Sequence, residues 1–263
     1  MKKISMFGAP RSGTSWLSQI FNSNPNVALR FQPLFSYGHK SAITQYSKNE
    51  EIERFFWDIL NTNDEFALMK APMFKNFPRF DKGSIDAIVF KETKYLDVSE
   101  ALLENSDTKV IAIIRNPLSV LASWIKAPKE FDPDWNILEE WRDAKSKNRG
   151  PEDYYGFNKW VESTLMFHQL ANRYPEQCLI VDYTELKNNT LPIVSSMFDF
   201  CGLSVEQQTF DFITASKSRH DTDPYSVYRS KSIGEAYKNT LPKVIIETVT
   251  NELADTILEK YIL

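Results

Sequence analysis

The chain has 263 residues, 42% of them hydrophobic and 25% charged, which supports a sizeable core and excludes a disordered or low-complexity chain. Its 31 Lys+Arg against 35 Asp+Glu leave a net charge of −4. That balance argues against general attraction to nucleic acid or an anionic membrane, so any site for an anionic ligand has to be local. No run approaches the ~20 apolar residues of an integral membrane segment. Met1-Lys2-Lys3 ahead of Ile4 to Ala9 is basic then apolar, but the run is too short for a signal peptide and enters a glycine-containing loop. Cys178 and Cys201, both inside apolar stretches, predict two reduced core thiols and a cytoplasmic setting.

Along the chain, short apolar runs alternate with segments of helical period, the pattern of a parallel sheet covered by helices. Ile4 to Phe7 reads as a strand and Thr14 to Phe21 as a helix with Trp16, Leu17, Ile20 and Phe21 on one face. Asn24-Pro25-Asn26 turns the chain into a strand at Val27 to Phe31. Ile52, Phe55, Phe56, Ile59 and Leu60 mark an amphipathic helix. Strands are predicted at Phe66 to Met69, Ala87 to Phe90 and Val110 to Ile114, and Asn116-Pro117 opens the next helix. Residues 126–156 are rich in Pro, Asp and Lys yet carry Phe131, Trp135 and Trp141, which predicts a lid or acceptor-side insert within a single domain spanning 1–263. A helix from Phe157 to Tyr174, a strand at Leu179 to Val181 and helices near Leu191 to Cys201 and Val244 to Tyr261 complete the reading. The expected fold is α/β, a single domain with a P-loop-like central parallel sheet and helices on both faces.

Two constellations carry chemistry. The first is Gly8-Ala9-Pro10-Arg11-Ser12-Gly13-Thr14-Ser15 between a strand and a helix, where backbone amides and the helix dipole converge on an anion. Gly8 and Gly13 have the spacing of a nucleotidase P-loop, but Thr14 stands where that loop has the lysine bridging the β- and γ-phosphates of ATP. Arg11 supplies positive charge from inside the loop. The second is Arg115, at the end of a buried strand, with Ser123 eight residues on. The strand delivers the guanidinium to the carboxyl edge of the sheet, and two helical turns bring the hydroxyl back toward the same point.

Pro10-Arg11-Ser12-Gly13-Thr14-Ser15-Trp16 resembles the loop of the sulfotransferase superfamily that holds the 5′-phosphosulfate of 3′-phosphoadenosine 5′-phosphosulfate (PAPS). Arg115-Asn116-Pro117 with Ser123 resembles the motif by which the same superfamily holds the 3′-phosphate. The resemblance implies that Arg11, Ser12, Gly13, Thr14 and Ser15 contact the 5′-phosphate and the transferring sulfuryl group. It places Trp16 and Tyr183 beside the adenine, although on pattern alone Trp16 fits a helix core equally well. Tyr183 enters through Val181-Asp182-Tyr183-Thr184-Glu185-Leu186, and Arg229 and Lys231 through a loose match to the loop over the 3′-phosphate. Lys91-Glu92-Thr93 and Phe31-Gln32-Pro33-Leu34 resemble the carbohydrate-modifying branch. The implied activity is sulfuryl transfer from PAPS to a hydroxyl or amine, on a glycan or small metabolite, with no metal.

Transfer of this kind calls for cations at the developing charge, read here as Arg11 and Lys70, and for a base on the acceptor side. Gln32 stands where relatives carry a glutamate and cannot take a proton. That leaves His39, Glu92, or no base at all for an acceptor already ionised. His168, on an amphipathic helix, reads as structural, and His220 lies in a polar irregular segment with no partner assigned. Two rival readings stay open. A P-loop kinase or nucleotide-binding protein would draw on Leu179 to Asp182 as a magnesium-holding strand end. A non-enzymatic glycan-binding module would use Trp135, Trp141, Tyr154, Tyr155 and Trp160.

Overall fold

The structure, a computed structural model, describes residues 1–219, 221, 223, 225–228 and 236–262. Five strands form one sheet: β1 (Lys2–Phe7), β2 (Val27–Phe31), β3 (Ala87–Glu92), β4 (Lys109–Ile114) and β5 (Cys178–Asp182). All neighbours are parallel, in the order β2-β3-β1-β4-β5. β1 therefore lies in the middle, and the connections diverge to either side of it.

Strand periodicity sorts the core into two layers. Phe7, Ile88, Phe90, Val110, Ala112 and Ile114 point to one face. There they meet α2 (Asn49–Leu60), α3 (Val98–Asn105), α4 (Pro117–Ile125), α6 (Phe157–Arg173) and α10 (Lys243–Leu253). Ile4, Met6, Ala87, Val89, Ile111 and Ile113 point the other way, onto α1 (Thr14–Asn22), α7 (Tyr183–Asn188), α8 (Thr190–Phe200) and α9 (Gln207–Ser218). The expected α/β domain with helices on both faces is the observed one. Because β1, β3 and β4 are covered on both sides, their sequences lack the polar alternation of a half-exposed strand. Among the described residues, no helix is long and apolar enough to cross a membrane.

Four elements differ from the sequence reading. Phe66 to Met69 is a run of turns and not a strand. Asp64 accepts from the amides of Ala67 (2.8 Å) and Gly38 (3.2 Å), and Met69 adopts a left-handed φ of 54°, so the side-chain carboxylate has captured backbone donors that a ladder would need. α7 and α9 went unpredicted, the first because it is a single short turn capped by Asp182, which accepts from the Glu185 amide at 2.9 Å. The last helix stops at Leu253, because Asp255 takes a left-handed φ of 60° and the chain resumes only as a 3₁₀ turn at Glu259–Tyr261.

Residues 126–156 hold the short α5 (Ile137–Glu140) and pack onto the body of the fold. Phe131 meets Trp124 edge-on at 5.1 Å and Trp135 at 5.4 Å, and Asp153 pairs with Lys94 at 2.7 Å. Cys178 and Cys201 are free and buried, and burial pushes both thiols up to about 12. Neither is expected to react with Ellman's reagent at pH 8 until denaturant is added, since the thiolate is the nucleophile. Rapid labelling of the native protein would contradict this.

Candidate active site

Phe7 lies in register with Glu92 on one side and Ala112 on the other, so the loops leaving β1, β3 and β4 share one edge at their carboxyl ends. Two glycines fix the first of these loops. A Cβ on Gly8 would lie 2.7 Å from Ile113 Cγ2 and 2.8 Å from its carbonyl oxygen, so only glycine lets the chain leave β1 this close to β4. Gly13 caps α1 at a φ of 93°, and its Cβ would fall 2.4 Å from the Tyr183 ring. Between them Arg11 itself holds a left-handed φ of 72°, a conformation that costs a non-glycine residue roughly 1 kcal/mol and that the loop must impose.

The two motifs meet through their side chains. Arg115 Nη1 donates to the Arg11 carbonyl at 3.0 Å, and its guanidinium lies over the Tyr183 ring at 4.6 Å. Arg11 Nε donates to Ser123 Oγ at 3.2 Å, and its Nη1 pairs with Glu130 at 3.5 Å. The Arg115 carbonyl accepts from Trp160 Nε1 at 3.0 Å, which ties the end of β4 to α6. Trp16 donates through Nε1 to Ser216 at 3.1 Å and meets Tyr183 edge-on at 6.1 Å, so the two rings form an aromatic corner beside the arginines.

These groups line a cavity of about 890 Å³. At one end are Arg11, Gly13, Thr14, Ser15, Trp16, Arg115, Ser123, Tyr183, Lys187 and Lys217. At the other, Phe31, Phe35, Phe66, Phe74 and Phe77 form an apolar wall, with Phe31 and Phe74 at 4.9 Å and Phe74 and Phe77 at 5.4 Å. Lys91 stands between the two ends, buried, with its ammonium 4.2 Å above the Phe31 ring. Burial drives its pKa down, against the pull of Glu92 and Glu130. The pKa of Lys187 is lowered by burial and by the charge of Arg115. Arg115 and Lys187, held this close beside the two aromatic rings, concentrate positive charge at this end of the cavity.

Several predicted residues lie elsewhere. Lys70 follows the turns that replace the expected strand; it is exposed and outside the cavity. His39 also lies outside it, with Nε2 bonded to Thr62 Oγ1 at 2.7 Å. Glu92 is fully buried below the site, where one carboxylate oxygen accepts from the Leu34 amide at 2.7 Å. Burial raises its pKa. Its place in the fold is to brace the turn that carries Gln32, whose amide donates to Thr93 Oγ1 at 2.6 Å in the cavity. Ser12 is buried in the loop, its hydroxyl without a partner among the described residues. Arg229 and Lys231, like His220, lie outside the described residues.

The rival readings lose their residues here. Asp182 is engaged as the α7 cap and lies outside the cavity. Trp160 and Tyr154 are core residues, and Trp135 and Trp141 pack against the core; of the proposed sugar-stacking set only Tyr155 lines the cavity. Sequence reasoning missed Lys187 and Glu130 as cavity residues and read Lys91 only as part of a motif. Lys187 lies one helical turn from Tyr183 and so shares its face, a spacing visible in the sequence once α7 is known to be a helix. Glu130 sits in an irregular stretch with no periodicity to place it.

The family described as the sulfotransferase domain matches residues 2–260. No curated protein sequence matches the chain. Among solved structures, mouse sulfotransferase SULT7A1 complexed with PAP is similar at a TM-score of 0.60 and 15% identity, over 99% of this chain and 87% of that one. A retinol dehydratase in complex with retinol and PAP is similar at a TM-score of 0.54 and 12% identity, over 97% and 82% of the two chains. The sulfotransferase domain of the Synechococcus PCC 7002 olefin synthase gives a TM-score of 0.52 at 15% identity, over 97% and 95%. At these identities the structures establish a shared fold.

Proposed function

The chain belongs to the sulfotransferase domain family, and we propose that it transfers a sulfuryl group from PAPS to the hydroxyl of a small acceptor with an apolar body. One observation carries the reading: Arg11 on the loop after β1, and Arg115 with Lys187 beside the Trp16–Tyr183 corner, line one cavity. That combination of cations and aromatic rings suits an adenosine phosphorylated at both its 3′ and 5′ ends. The 5′-phosphosulfate would lie on the loop between Gly8 and Gly13, where α1 presents its amino end. The 3′-phosphate would lie on Arg115, Lys187 and Ser123, with the adenine against Trp16 and Tyr183.

The acceptor end supports a narrower choice than a glycan or any small metabolite. Phe31, Phe35, Phe66, Met73, Phe74 and Phe77 offer apolar area and few hydrogen-bond partners, which suits a hydrocarbon or aromatic skeleton better than a sugar chain. Residues 126–156 line the same cavity through Lys126, Lys129, Glu130 and Tyr155, and this segment would act as its lid.

Positioning and charge do most of the work in such a transfer. Lys91 and Arg11 face the point where the donor and acceptor ends meet, and both can take up charge developing on the sulfuryl and phosphate oxygens. PAP at about a hundred times its dissociation constant is expected to stabilise the protein by about 2.7 kcal/mol, read as a rise in Tm, whereas ATP with magnesium gives little. Radiolabelled PAPS should then pass label to a simple phenol or hydrophobic alcohol in preference to an oligosaccharide. A rise in Tm with ATP and none with PAP would reject the donor, and exclusive labelling of oligosaccharides would reject the acceptor class.

A further inference from the structure

The usual acceptor-side base positions do not supply a base here, yet the cavity contains a carboxylate. Among the described residues that line it, Glu130 is the one acidic side chain, and no histidine is present. Its backbone is fixed from two sides: its amide donates to the Ala127 carbonyl at 2.8 Å, and its carbonyl accepts from Trp124 Nε1 at 3.0 Å. One carboxylate oxygen pairs with Arg11 at 3.5 Å, longer than a good charge-assisted bond, and the other is buried without a partner among the described residues. An under-satisfied carboxylate at this depth is costly unless something else occupies it. Its charge is felt by Lys91 on β3, by Lys147 and Tyr155 of the 126–156 segment and by Tyr225, whose ring lies against the Arg11 guanidinium. It thus sits where the phosphate loop, the buried lysine and the 126–156 segment converge, in the cavity that the apolar wall also lines.

We propose that Glu130 is the general base of the transfer, taking the proton of the acceptor hydroxyl. This rests on the sulfuryl-transfer reading above. As the acceptor oxygen bonds to sulfur, its proton passes to the Glu130 carboxylate. The bond from sulfur to the 5′-phosphate oxygen breaks, and its electron pair departs with PAP. Arg11, drawn toward the donor phosphate, loosens its long contact with Glu130 and leaves the carboxylate free to accept. The protonated acid then returns its proton to water. Gln32, held by Thr93, can only orient the acceptor.

The test compares acceptors in Glu130→Gln, which keeps the shape and removes the base. With an aliphatic alcohol, kcat is expected to fall about 100-fold. With a nitrophenol already ionised at the assay pH, there is no proton to remove, and the loss should stay within about threefold. PAP should raise Tm as in the wild type, which shows that the variant is folded. Glu130→Asp, keeping a shorter carboxylate, should recover part of the alcohol rate. Equal losses with both acceptors would overturn the proposal and leave Glu130 a partner of Arg11, and an unchanged alcohol rate would overturn it outright. If the wild type moves no label from PAPS to any hydroxyl, the transfer reading itself fails, and this one with it.

Discussion

Arg115→Ala is expected to weaken PAP binding by about 2–4 kcal/mol, roughly 30- to 800-fold, while adenosine 5′-phosphate loses little. The side chain is held before any ligand arrives, by its bond to the Arg11 carbonyl and by the Tyr183 ring beneath it. Its backbone is held as well, through Trp160. Little ordering remains to oppose binding, so most of a charge-assisted bond to the 3′-phosphate appears as affinity. Lys187 is close enough for Arg115 to depress its pKa, so each cation relieves its repulsion by sharing one anion. Arg115→Lys should keep part of the affinity, because it retains the charge and loses the fork. Calorimetry with the two ligands gives the comparison. Equal losses for both would mean that Arg115 props the phosphate loop through the Arg11 carbonyl and does not touch the 3′-phosphate.

The residues that were legible in the sequence are those whose position follows from a regular element. Gly8, Arg11 and Gly13 are placed by the strand before them and the helix after. Arg115 ends an apolar strand, and Ser123 lies two turns into the next helix; the structure joins both to Arg11. Where the backbone answers to a side chain instead, periodicity misleads. Asp64 turned an apolar tetrapeptide into turns, and Lys70 left the site with it. His39 is bonded to Thr62, a partner 23 residues away that no local pattern would suggest. Glu92 shows the opposite case, in which the sequence places a carboxylate correctly on β3 but the pleat turns it under the floor while Lys91 lines the cavity. Glu130 lies in an irregular stretch, and only the folding of residues 126–156 onto the body brings it to Arg11.

Arg11→Ala is expected to lower kcat by about 10²–10³-fold, the loss typical of removing one preorganised donor from a transition state. The dissociation constant for PAP should change by less than about tenfold, because the loop amides and the helix amino end remain. Both alanine and arginine disfavour the left-handed φ of 72° at this position, so the substitution leaves the backbone strain as it was and reports on the guanidinium. Among the described residues that guanidinium donates to Ser123 at 3.2 Å, pairs with Glu130 at 3.5 Å and lies over the Tyr225 ring at 5.4 Å, contacts longer than a good charge-assisted bond. Its bonds to the reacting group therefore strengthen as charge moves onto the departing phosphate, which is the condition for an effect on kcat and not on binding. Arg11→Lys should retain part of the rate, as a point charge without the second donor toward Ser123. A rise in donor KM at unchanged kcat would make Arg11 a binding residue alone, and the developing charge would then fall to Lys91.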